Sequence, residues 1–89
     1  LKLQDPAADL AVAMAIASAA AGRKLSENLV VFGEVGLGGE IRSVRGADQR
    51  IAEAKKLGFD GALGPKSGKK NLFIRSVADI RQALVDYVK

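Results

Sequence analysis

The groups in this sequence that could do chemistry are hydroxyls, carboxylates, glycine clusters and cations, because the chain has neither Cys nor His. Those absences exclude disulfides, thiolate nucleophiles, cysteine zinc sites and imidazole acid–base catalysis within these 89 residues. Ser18, Ser43, Ser67 and Ser76 are isolated, and isolated hydroxyls of this kind serve turns, caps or solvent. Asp5 and Asp9 are four apart and share a side if both are helical. No third oxygen ligand accompanies them, so a capping role for Asp5 outweighs a divalent-metal site. Asp9 suits a helix N-terminus electrostatically, or pairs with a basic residue across an interface.

Two glycine-rich stretches resemble phosphate loops only on the surface. A P-loop needs Gly-x-x-x-x-Gly-Lys-Ser/Thr between a strand and a helix. The glycines from Gly36 to Gly39 lie between two predicted strands and read as a turn. In the stretch from Gly64 to Lys70, Gly68 and Lys69 are followed by Lys70 and not by a magnesium-binding hydroxyl. Neither stretch is expected to hold a nucleotide. The cations remain: Arg42 and Arg45 flank a strand end, Arg50 lies early in a helix, and Lys66, Lys69 and Lys70 gather in a loop. Such groups form either a solvated face or a track that neutralises phosphates, which needs no base-specific chemistry. Arg23 and Lys24 extend that track only if they face the same way. No aromatic interleaves with the cations as a stacking platform, and Phe32, Phe59 and Phe73 read as core residues.

The elements that must position these groups follow from periodicity. Leu1 to Gln4 alternates like the end of a strand with nothing ahead of it to pair with, so the chain is expected to begin inside a domain. Asp5-Pro6 opens a helix running to Ala21, whose only polar side chains after Pro6 are Asp9 and Ser18. A helix apolar nearly all round belongs against a sheet, or between a sheet and a neighbouring subunit. Gly22 ends it. Leu29 to Val35 is the clearest strand, and Glu40 to Val44 is the next, either short or bulged. Ala47, Ile51, Ala54 and Leu57 mark a second helix ended by Gly58. Phe59 to Leu63 and Asn71 to Arg75 read as short strands. Ser76 with Asp79 then starts a last helix with Val77, Ile80, Leu84 and Val88 on its apolar face.

This order predicts an α/β fold with a mixed sheet and packed helices. With three Phe, one Tyr and no Trp, the core falls to Ala, Val, Leu and Ile. A chain of this size buries only roughly 60% of its unfolded surface, so that core is thin. The opening lacks a signal peptide's basic and apolar regions, and the apolar helix is shorter than the roughly 20 residues of a membrane span. Fourteen basic against ten acidic residues give a net charge of +4, which suits an anionic partner without requiring one.

Three segments together carry a family resemblance: DPAADLAVAMAIASAAAGRKL, VVFGEVGLGGEIRSVRG and RIAEAKKLGFDGALGPK. They resemble the C-terminal Lon-protease-like domain of the bacterial RadA (Sms) DNA-repair family. The resemblance runs through nearly the whole chain. It implies a fold similar to the Lon proteolytic domain, within the ribosomal-protein-like superfamily. It also implies that residues 1–89 are the C-terminal portion of an incomplete domain whose upstream part is absent. Active Lon proteases carry a nucleophilic serine in Pro-Ser-Ala-Gly and a general-base lysine after Gly-Gly-Leu. The matching positions here are Ala7 and Asp48, so the serine–lysine dyad is missing and no catalytic residue is expected.

What the family implies is therefore a DNA-binding and oligomerisation scaffold within an ATP-dependent repair and recombination protein. The DNA-binding candidates are Arg42, Arg45, Arg50, Lys66, Lys69 and Lys70. ATP with magnesium, and zinc, are implied only for a longer parent. The implied partners are single-stranded or branched DNA, further copies of the parent in a homo-hexamer, and a recombinase, in the cytoplasm and without a membrane. A purely structural assembly module is the alternative, and a Lon-like peptidase the remote one.

Overall fold

In the computed structural model the described residues are 6–25, 27–66 and 72–89. A 3-10 turn at Pro6–Ala8 leads into helix α1 (Asp9–Ala21). Strands β1 (Leu29–Val31), β2 (Glu34–Val35) and β3 (Ile41–Arg42) precede α2 (Ala47–Lys56). Then come β4 (Gly61–Gly64), β5 (Ile74–Ser76) and α3 (Ile80–Tyr87). The strand expectations at Leu1–Gln4, the cap at Asp5 and the strand start at Asn71 lie outside the described residues.

The three longer strands form a parallel sheet in the order β1-β4-β5, with Leu29 opposite Gly61 and Leu63 opposite Arg75. β2 and β3 form a separate antiparallel hairpin, with Val35 opposite Ile41. Alternation along the strands sends side chains to two faces. Leu29 and Leu63 join Leu10 and Met14 of α1, Ala83 of α3, Val77 and Val88 in one cluster. Phe32 and Ala62 meet Ile51 of α2, with Val30, Phe73 and Ile74 packed around them. The sheet is thus the middle of three layers, and every residue of β4 is buried, as a central parallel strand requires.

The expected single strand from Leu29 to Val35 is broken at Gly33, and the cause is tertiary. Phe32 still donates to Leu63 O across the sheet at 3.0 Å. At Gly33 the backbone turns away: its N–H donates to Ala7 O at 2.7 Å, and its carbonyl accepts the Leu10 N–H at 2.9 Å. The first N–H groups of a helix lack intrahelical partners, and here a strand carbonyl satisfies one of them. One residue on from the hairpin's first position, the Val35 N–H donates to Asp9 Oδ2 at 3.1 Å. Asp9 stands in the first turn of α1, as its helix N-terminal reading expected, and also ties α1 to β2 within the chain, where the other reading had a basic partner across an interface. Gly33 has φ 151°, and a Cβ there would stand 2.8 Å from Ile41 Cγ2, so glycine is required for the crossing.

The second expected strand is short, as one of its two readings had it. Only Ile41 and Arg42 pair as strand, while Glu40 bridges Asp79. The last helix begins later than the Ser76–Asp79 pattern suggested. Ser76 belongs to β5, and Val77 N–H extends that ladder to Gly64 O at 2.9 Å. Asp79 itself caps α3: its Oδ1 accepts the Gln82 N–H at 2.8 Å, while Gln82 Oε1 accepts the Ala78 N–H at 2.9 Å. The capping pair is shifted by one turn because sheet pairing holds Ser76. α1 ends as expected, with Gly22 left-handed at φ 67° and the Arg23 N–H on Ser18 O at 3.0 Å.

Candidate anionic-ligand cleft

Ala7 lies at the foot of an open cleft of about 350 Å³. Its walls come from four places in the fold: the 3-10 turn (Pro6, Ala7), β2 (Glu34), the segment after β3 (Ser43, Val44, Arg45) and the first turns of α2 (Arg50). The Gly33 crossing fixes this arrangement, because it seats the 3-10 turn directly on the end of β1. A second cavity of about 160 Å³ shares Ser43 and Val44 as a wall, and is bordered by Asp48, Pro65 and Lys66. The two positions matched to a protease nucleophile and base, Ala7 and Asp48, therefore open on adjoining cavities.

What occupies those positions decides the chemistry. Ala7 is 3% exposed and offers a methyl group. Asp48 sits in the first turn of α2, where the helix dipole favours its negative charge. Ala7 has no hydroxyl to attack a carbonyl and Asp48 has no amine, so the two cannot act as a serine–lysine pair. Ser43 and Lys66 both border the smaller cavity, but both are exposed and they share no hydrogen bond. A lysine acts as a general base at neutral pH only when its ammonium is desolvated. Among the described residues there is no serine–lysine dyad.

The cleft gathers some of the candidate cations and excludes others. Arg45 and Arg50 line the larger cavity, and Lys66 lines the smaller. Arg42 is drawn elsewhere: its Nε and a terminal nitrogen reach Glu40 Oε2 at 3.1 and 2.9 Å. Glu40 Oε1 also accepts the Gly38 N–H at 3.0 Å. Hydrogen bonds from its own backbone N–H, then from the Arg42 side chain, hold Glu40 below the usual carboxylate range. The Gly36–Gly39 turn closes with Gly36 N–H on Glu40 O and Gly39 N–H on Gly36 O, as a turn and not a phosphate cradle. Lys69 and Lys70 lie outside the described residues, as does Ser67. Ser18 spends its hydroxyl on the Arg23 carbonyl. Glu34 is the residue sequence reasoning missed: an acid interrupting an apolar run was the available signal. Phe32 is buried as expected, while Phe73 is half-buried with the Lys55 ammonium 5.3 Å from its ring centre.

Residues 1–68 match the family model described as subunit ChlI of Mg-chelatase. The chain is 52% identical over 67 residues to DNA repair protein RadA of Aquifex aeolicus, covering 75% of this chain and 15% of that protein. The chain belongs to the ChlI family and is a RadA-type domain. RadA of Chlamydia pneumoniae is 42% identical over 92 residues, covering 94% of this chain and 20% of its own length. RadA of Rickettsia bellii is 48% identical over 84 residues, covering 91% and 18%. The RadA-type domain thus spans between 15% and 20% of the length of these relatives. No helix among its described residues is long and apolar enough to cross a membrane.

Proposed function

We propose that this domain is a non-catalytic DNA-binding and subunit-assembly module of a RadA-like, ATP-dependent repair and recombination protein. In this reading residues 1–89 are the C-terminal portion of a Lon-like domain whose preceding part lies elsewhere in a cytoplasmic parent. The supporting observation is the cleft over Ala7, where Arg45 and Arg50 stand around a position with no nucleophile. Guanidiniums bind phosphate oxygens through fixed N–H forks and remain charged at any working pH. The cleft therefore suits a backbone phosphate of single-stranded or branched DNA, with Lys66 continuing the track and Lys69 and Lys70 as further candidates from the sequence. Zinc and ATP with magnesium belong to other parts of such a parent. The chain has no Cys or His, and no group of three or more metal-ligating side chains occurs among the described residues.

Exposed Val12 and Ile16 on α1, 54% and 66% accessible, favour a contribution to assembly, with a homo-hexamer of the parent as the expected product. A recombinase partner belongs to the same reading. Binding to a labelled oligonucleotide at graded salt tests the DNA reading. Removing one cation–phosphate pairing lowers the slope of log affinity against log salt by about 0.9 on duplex DNA. Arg45→Gln with Arg50→Gln should lower it by about 1.8 and weaken binding to DNA of any sequence. An unchanged slope in a folded double variant, with assembly abolished in a Val12→Ser/Ile16→Ser variant, would leave the purely structural role.

A further inference from the structure

A second group of cations stands at the other end of α1. Past Gly22 the chain carries Arg23 and Lys24, and it then meets the segment that follows α3. The antiparallel bridge joining Leu25 to Val88 sets Lys24 opposite Lys89, and the Lys89 N–H donates to Lys24 O at 2.9 Å. Leu25 and Val88 turn into the core beneath α1. By alternation the two lysines turn outward, and both are exposed, as is Arg23.

Like charges held directly opposite across a strand pair repel. The neighbouring acids do not relieve them. Glu27 is drawn to Arg75 at 3.3 Å, and Asp86 forms no ion pair with any described residue. Arg23, Lys24 and Lys89 likewise form none among the described residues. The bridge therefore sets two lysines side by side, with exposed Arg23 next to Lys24 in the chain, and none of the three has an ion-pair partner among the described residues. Two hydrogen bonds tie Arg23 to the end of α1: its N–H donates to Ser18 O, and the Ser18 hydroxyl donates to its carbonyl.

We infer that Arg23, Lys24 and Lys89 form a second contact for nucleic-acid phosphates, one α1 length from the Arg45–Arg50 cleft. This inference rests on the DNA reading above. α1 has 13 residues, which at 1.5 Å each makes it roughly 20 Å long. Phosphates on one strand advance about 3.4 Å along the duplex axis, so that length matches about six nucleotides of backbone. The two cationic poles then act as spaced anchors on DNA, with sequence-independent contact at each end of the helix.

The test is the salt dependence of the intact protein's binding to a labelled duplex oligonucleotide and to its separated single strand. Replacing Arg23, Lys24 and Lys89 together by Gln should lower the duplex slope by about 2.7 and the single-strand slope by about 2.1. The smaller Lys24→Gln/Lys89→Gln variant should lower the duplex slope by about 1.8, and Lys24→Arg/Lys89→Arg should preserve it. Unchanged slopes in the Gln variants overturn the second contact. If Arg45→Gln/Arg50→Gln still lowers the slope in that case, the DNA reading survives without it. If that variant is also flat, both fall.

Discussion

Replacing Gly33 by alanine should test the junction that seats Ala7 and the cleft above it. Two costs act there. The residue has φ 151°, which L side chains rarely adopt, and strained backbone of this kind costs about 1–3 kcal/mol. The new methyl would also stand 2.8 Å from Ile41 Cγ2. That atom is the branch methyl of a side chain with restricted rotamers, so it yields only by moving the hairpin, at about 1 kcal/mol or more. The sum is about 2–4 kcal/mol, against a total near 4–13 kcal/mol for a chain of 89 residues at typical stability per residue. At about 4–8 °C per kcal/mol, the melting temperature should fall by about 8 °C or more. Thermal unfolding read by circular dichroism measures it. Ile41→Leu removes the branch methyl and retains the side-chain volume, so the double variant should recover about 0.5–1 kcal/mol relative to the sum of the single changes. A Gly33→Ala protein that melts like the parent, or a strictly additive double variant, refutes the steric part of the argument. Gly38→Ala is the control, because its backbone needs no positive φ and its Cβ would meet only the flexible end of Glu40.

Two further perturbations address the cap and the hairpin. Asp79→Ala removes the acceptor for the Gln82 N–H and should destabilise the protein by about 0.5–2 kcal/mol, read as a lower urea midpoint with an unchanged slope. Glu40 has its folded pKa depressed, so its contribution is present above the ordinary value of 4.5 and is lost as pH falls through the folded value. The gap in melting temperature between the parent and Glu40→Gln should therefore narrow on acidification below about 4.5, and a gap independent of pH would contradict the pairing with Arg42.

Much of the fold was legible because local signals and tertiary needs agreed. The alanine-rich run predicted α1, Gly22 its end, and Ile51 with Ala54 the buried face of α2. Disagreement arose where a distant partner decided the backbone. Leu29 to Val35 reads as one strand because β-branched residues fill it, and nothing local reveals that Ala7 and Leu10 need the hydrogen bonds of Gly33. Likewise both Ser76–Asp79 and Asp79–Gln82 satisfy a capping pattern, and only the pairing of β5 with β4 selects the second. The site divides in the same manner. Arg42, Arg45 and Arg50 are close in sequence and read there as one group. Glu34 joins them, and Arg42 leaves them for Glu40, through contacts between elements. Lys24 and Lys89 are far apart in the chain, and only the closing bridge makes them neighbours.

That bridge also sets an order of events during synthesis. The layer beneath α1 is completed by Val77, Ala83 and Val88, so a nascent chain that has emerged only through β4 leaves Leu10, Met14 and Leu63 without their cover. Contacts of such large sequence separation form late, because a long loop must close before they return any stabilisation. The core face of α1 is made before the α3 segment that covers it. Until that segment arrives, the apolar surface of Leu10, Met14 and Leu63 stays uncovered, the condition under which partly folded chains associate.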